Sequence, residues 1–349
     1  MVIYSERVRA ARRNRRYLTL VALVALLAVG WIALWFYASG KAEETIAGWR
    51  AREAQAGRLF TCGQQTMGGF PFRIEVFCER AGALFREARP PFEVKAPQIL
   101  IAAQIYQPNL LISEFAAPLT IGEPGQPPAI TAKWSLAQTS VRGTPAAPER
   151  VSIVLENPAL DRTSPAEALL RGRRLELHGR LAEGSVARAP VIEVVLRSEK
   201  VTAAALGAFG TAPIDSDVSF VLRGLNDFSP KPWPQRFREI QAANGRIDIT
   251  KARIQQGDTI GVGNGTLTIN PRGRLEGQLN LQVAGVEALI NKVLAATGQR
   301  GGVGLTLGLG LLGGNAVVEG KPAITLPLRF DDGVVRLGPL RVAEVPPLF

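Results

Sequence analysis

The chain is short of the residues that most often carry chemistry. Its 349 residues include one histidine, two cysteines and only 7% aromatic side chains. A zinc site built on the two thiols would need partners that one histidine cannot supply, and the thiols lack the close Cys-x-x-Cys spacing of a redox pair. There is no Gly-x-Ser-x-Gly elbow, no phosphate loop ending in Gly-Lys-Ser/Thr and no histidine-rich metal spacing. The sequence therefore predicts no catalytic residue, no cofactor and no metal. An enzyme built on carboxylates from distant strands would be invisible at this level, but it starts from a low prior.

The net charge of +11 does not mark a nucleic-acid binder, because no basic stripe carries interleaved aromatics. Nearly half of the excess sits at the start of the chain, where Arg7, Arg9, Arg12, Arg13, Arg15 and Arg16 face only Glu6. An uncharged run, Leu18 to Phe36, follows at once, and its length matches the roughly 20 residues an α-helix needs to cross a bilayer. Trp31, Trp35 and Tyr37 cluster at its far end, where amphipathic rings favour the headgroups, and the arginines mark the cytoplasmic side. A cleaved signal peptide is the rival reading, with Ala38-Ser39-Gly40 as a small-residue site; its apolar core would exceed the 7 to 15 residues usual for signals. The expected layout is a cytoplasmic basic tail at 1–17, a retained anchor at 18–37, a juxtamembrane helix at 41–57 and a periplasmic β-rich domain at 58–349. Any two lobes would join near 226–234.

A body outside a bacterial inner membrane lies in an oxidising space, where paired thiols persist as disulfides. Cys62 and Cys78 then have one connectivity open to them, and closing a loop of about 15 residues stabilises by roughly 3 kcal/mol in the chain-entropy model. They are predicted to clamp the first hairpin, with Gly68 and Gly69 easing its turn and Phe70 and Phe72 entering the core.

Beyond Gly57 the hydrophobic period changes from about 3.6 to 2. Leu267 and Ile269 oppose Thr266, Thr268 and Asn270; after the turn Asn270-Pro271-Arg272-Gly273, Leu275, Leu279, Leu281 and Val283 oppose polar partners. The same one-sided alternation recurs at Ile130 to Leu136, Ile192 to Arg197 and Val218 to Arg223. It also runs through the last pair, where Asp331-Asp332-Gly333 reads as a hairpin tip and Pro327 as the mark of an edge strand. Helices are predicted at 232–245 and along the stripe Val286, Leu289, Ile290, Val293 and Leu294. The Gly-Leu run at 301–314 fits no single state.

Possible chemistry has plainer explanations. His178 falls on the wet side of its strand beside Glu176 and Arg180. Asp215 with Asp217, and Asp331 with Asp332, sit at a strand start and a hairpin tip. Arg171, Arg173 and Arg174 suit a charged strand edge better than a headgroup site. "GVGNGT" at 261–266 leads into a strand, unlike a dinucleotide loop.

One span, a helix bearing Trp49, then Gly57-Arg58, Cys62, Gly69-Phe70-Pro71-Phe72-Arg73 and Cys78 resemble an uncharacterised family of proteobacterial envelope proteins, classed as domain of unknown function 2125. The ending, with Asp332-Gly333, Leu337-Gly338-Pro339 and Pro346-Pro347-Leu348, is similar to the way that family ends. The pattern is also distantly similar to AsmA-like proteins. In those, an anchored sheet curls into an apolar groove implicated in phospholipid movement.

The expected fold is mainly β with a few helices: a single N-terminal transmembrane helix followed by a curved, mostly antiparallel sheet, groove-like or sandwich-like. A row of strands each dry on one face must bury that face, either in a filled core or against acyl chains, with a helix or the Gly-Leu segment as a lid. The expected function is an inner-membrane-anchored periplasmic protein that binds a lipid or other apolar envelope molecule. The alternative is a non-enzymatic structural or assembly factor with envelope protein partners. No nucleic acid is expected as a partner.

Overall fold

The computed structural model describes residues 3–144, 147–228, 231–287 and 314–349. Its first element is one unbroken helix, α1 (Ile3–Gln55). The predicted span and juxtamembrane segment are continuous within it. Gly40 lies mid-helix with nothing near its Cα to disturb it, and a lone glycine costs only about 1 kcal/mol there. The stretch Tyr17–Gln55 holds 18 residues apolar enough to cross a membrane, with a mean hydropathy of 2.5 and 6% of them buried. The helix ends as the chain reaches Gly57, whose φ of 73° is the left-handed conformation that glycine adopts freely.

The described strands after it form one antiparallel sheet, laid down mostly as a meander. β1 (Arg58–Gly68), β2 (Arg73–Phe85) and β3 (Phe92–Gln104) pair in turn. The next passes of the chain are each interrupted near the middle. They run as β4 (Gln107–Phe115) with β5 (Leu119–Gly122), and β6 (Ile130–Lys133) with β7 (Leu136–Thr144). Then come β8 (Ala147–Glu156) with β9 (Ala159–Arg162), and β10 (Glu167–Arg171) with β11 (Arg174–Ser185). The two tracks, β4–β7–β8–β11 and β5–β6–β9–β10, leave β3 together and rejoin at β12 (Arg188–Ala203).

From there the ladder continues through β13 (Ile214–Leu222), β14 (Arg246–Gln256), β15 (Thr259–Ile269) and β16 (Leu275–Ala284). β18 (Lys321–Asp331) adds to β16, with β17 (Gly314–Val318) and β19 (Val334–Leu337) both on its far side and β20 (Leu340–Glu344) last. Pro327 is therefore not on an edge strand. It sits in the gap between β17 and β19, where the missing N–H breaks no ladder bond on that side.

The interruptions line up across the sheet. Gly63, Arg80 and Pro97 each drop out of the β1–β2–β3 register, and the breaks at 116–118, 134–135, 157–158 and 172–173 continue the line to the bulge at Lys200 in β12. Arg80, Asn157 and Lys200 all take positive φ, at 50°, 49° and 51°. Backbone bonds bridge the line, as from the Asn157 amide to the Arg173 carbonyl at 2.7 Å. The result is a crease, with the backbone still paired across it. The predicted continuous strand from Ile130 to Leu136 is broken by it at Trp134 and Ser135.

Besides α1, two small elements lie against the sheet among the described residues. α2 (Trp233–Ala242) sits in an excursion between β13 and β14 that closes where Arg223 and Arg246 exchange backbone bonds. Ile240 packs there with Leu225, Ile269, Phe237 and the C-terminal Leu348 and Phe349. A short 3-10 turn, Ala204–Phe209, touches β10. The predicted helix through Leu294 lies outside the described residues after Glu287, as does most of the Gly-Leu run. The chain exposes 21639 Å², against roughly 14000 Å² for a compact monomer of 37.5 kDa. The apolar run of α1 contributes to that excess, with Leu20, Leu26 and Phe36 each more than half exposed.

Candidate functional site

Registers fix which side chains share a face, because residues directly opposite one another across a ladder project to the same side. One row runs Ile74, Ala103, Leu111, Val141, Val151 and Gly179 from β2 to β11. It continues through Val194, Phe220, Ile249, Gly265, Leu279, Leu328 and Leu337 from β12 to β19. No polar side chain interrupts it.

The next row on the same face holds Val76, Ile101, Ser113, Thr139, Ile153 and Leu177. It then reaches Leu196, Val218, Ala252, Gly263, Leu281 and Leu326. Two hydroxyls are its only polar groups.

The opposite face is charged. Glu114, Gln138, Val154, Glu176, Arg197, Asp217 and Arg253 form its corresponding row. Lys251 Nζ donates to Asp217 at 2.6 Å, and Arg197 lies 3.6 Å from the same carboxylate. The Lys251 hydrogen bond, against the opposing effect of burial, holds Asp217 below the ordinary carboxylate range. Lys200 does the same for Asp215. His178 and Glu176 face each other at 3.0 Å on this side, and the hydrogen bond from His178 is the first cause of the lowered Glu176 pKa, with Arg174 adding to it.

No second sheet packs on the apolar face among the described residues; strands touch their ladder neighbours, and α2 covers one end. Leu177 and Leu196 remain 37% and 41% exposed. The filled sheet-on-sheet core is absent here. Burial along the rows is uneven: Val76, Leu326 and Leu337 are buried, the last two in a cluster with Val283, while most of the other apolar side chains are half-buried. Depressions of the surface open instead on the charged side, one of about 520 Å³ beside Lys251, Arg253, Asn280 and Glu319. Another lies beside His178, Arg180 and Glu193.

The residues singled out by sequence fall into place as structure. Cys62 and Cys78 are joined, with Cα atoms 5.6 Å apart. Cys62 lies opposite Ala81 and Cys78 opposite Gln65, so in a flat ladder this pair would stand about 10 Å apart or more. The crease at Gly63 and Arg80 brings them together. Asp332 accepts from Asn270 Nδ2 at 2.9 Å in its turn, and Arg171, Arg173 and Arg174 pair with Asp161, Glu199 and Glu156 on neighbouring strands. The 261–266 segment is part of β15. Among the described residues no group of three or more His, Cys, Asp or Glu is placed to hold a metal.

Phe70 and Phe72 do not enter the core. They are 53% and 61% exposed and pack on α1, with Phe70 edge-on to Trp35 at 5.5 Å and Phe72 against Trp31 at 6.1 Å. The indoles of Trp31 and Trp35 donate to the carbonyls of Pro71 and Arg73, both at 2.8 Å. Toward the other end of the hairpin Trp49 packs on Phe60 with the rings tilted and their centroids 4.6 Å apart, and between the two contacts Arg50 donates to Gln65 at 2.8 Å. The helix is thus pinned to the sheet at two points, a partnership the sequence pattern did not reveal; the i, i+4 spacing of Trp31 and Trp35 was its one visible sign.

A family model described as an uncharacterized protein conserved in bacteria, DUF2125, matches residues 35–346. No curated protein and no solved structure matches the chain.

Proposed function

The chain belongs to the bacterial DUF2125 family, and from that premise we propose a non-enzymatic protein, anchored in the inner membrane by α1 with its sheet in the periplasm, that holds the acyl chains of a lipid or another apolar envelope molecule. The observation that carries this reading is the row without polar side chains from Ile74 to Leu337, on a face that among the described residues only α2, at one end, covers. An apolar strip of that continuity matches acyl chains, which need apolar area and no directional bonds. At about 25 cal/mol per Å², covering even a few hundred Å² of it would supply several kcal/mol.

The experiment is to purify the full chain in mild detergent, extract it and identify lipids by mass spectrometry. Lipid enriched over a control single-span protein, and depleted by Leu196→Glu, is the expected result. Lipid at the control level overturns the reading.

A second reading, an assembly factor, is favoured by one observation: among the described residues β20 pairs with β19 alone, an edge suited to strand addition by a partner protein. Cross-linking in cells from residues of β20 would trap a defined protein if this reading holds, and none if it fails.

A further inference from the structure

We infer that the tips of the first two hairpins, carrying Phe70, Phe72 and Tyr106, are a membrane-docking surface that inserts into the bilayer leaflet nearest the sheet. This concerns how the body rests on the membrane and is independent of what the apolar face holds.

The depth of these residues follows from α1. Its uncharged run from Leu18 to Phe36 is about 28 Å long as a helix, the thickness of a hydrocarbon core. Trp31 lies roughly 8 Å before the end of that run, and Trp35 one turn later. Their indoles bond the Pro71 and Arg73 carbonyls, so the turn between β1 and β2 is held at the level of the outermost hydrocarbon and the headgroups. It cannot stand clear of a membrane that α1 crosses.

The chemistry of the tip fits that position. Phe70 and Phe72 turn more than half of their surface away from the protein, and Tyr106 at the tip of the β3–β4 hairpin is 68% exposed. The two tips adjoin: the Ile105 amide donates to the Phe72 carbonyl at 3.1 Å, and Phe70, Phe72, Arg73 and Tyr106 border one shallow depression. Phe36 and Tyr37 on α1 add exposed rings at the same height, giving the aromatic belt that interfaces favour. Backbone carbonyls entering lipid lose water and must find donors within the protein. The indoles are those donors, a role that would be redundant in bulk water. Arg73, paired with Glu75 at 2.9 Å, stands at the headgroup side of the rings.

The test uses the full chain reconstituted in vesicles of phosphatidylethanolamine and phosphatidylglycerol. Single cysteines at Phe72→Cys and Tyr106→Cys, on separate hairpins, carry an environment-sensitive fluorophore, and Thr163→Cys at the opposite end of the strands is the control; the native cysteines are joined and do not compete. Labels at 72 and 106 are expected to emit at shorter wavelength than at 163 and to be quenched severalfold more by lipids bearing a nitroxide near the headgroup. Equal quenching of all three by aqueous iodide, without lipid quenching, overturns the proposal. So does a shielded label that neither quencher reaches, since a protein would then be covering the tip.

Discussion

The indole of Trp35, 7% exposed, donates to the carbonyl of Arg73 across 38 positions of sequence at 2.8 Å. That bond and its neighbour at Trp31 make the anchor and the first hairpin one unit. Trp35→Phe keeps the ring but removes the donor, leaving a carbonyl without a partner where water is scarce. The expected cost is about 1–3 kcal/mol, read as a lower midpoint of denaturant unfolding in detergent. Earlier proteolytic cleavage near residues 68–73 should accompany it. An unchanged midpoint would mean that the bond contributes nothing.

The disulfide closes the end of the crease. The double variant Cys62→Ser with Cys78→Ser should lose about 2–4 kcal/mol, and reducing agent should lower the wild-type melting temperature but not that of the variant. If Gly63 and Arg80 set the register break and the crosslink only locks it, circular dichroism of the variant should keep its β signature at low temperature. Loss of that signature would show that the crosslink creates the crease instead of locking it.

The charged face predicts a dependence on acid. Asp217 is held below its ordinary value of 3.8, with the Lys251 hydrogen bond as the first cause. A depressed carboxylate contributes stability that is present above pH 3.8 and is lost as pH falls through the lower folded-state value. Asp217→Asn should therefore be less stable than wild type at neutral pH, and the gap should close below about pH 4. Unfolding midpoints across that range measure it; a gap independent of pH would contradict the assignment.

The hairpin at Leu267 to Val283 was legible in sequence because a sheet wet on one side prints its period directly onto the residues. The turns at Asn270 to Gly273 and at Asp332-Gly333 were legible for a similar local reason, since their side chains and φ angles specify them. The crease was not. Only pairing shows that the breaks at Asn157-Pro158 and Gly172 fall on one line with Pro97 and Arg80. Phe70 and Phe72 were not legible as partners of α1, because rings beside a turn look the same in sequence whether they enter a core or pack on a neighbouring helix. The apolar face was visible as repeated alternation, yet its continuity depends on registers between strands far apart in the chain.

The central claim, that an apolar molecule lies along the face bearing Leu196, is tested most directly by photocrosslinking in cells. A benzophenone amino acid is placed at position 196 or at position 197, which point to opposite sides of β12. The account predicts a lipid-sized adduct on the purified protein from position 196 and none from Arg197. Adducts with lipid from neither position, or equally from both, would contradict it.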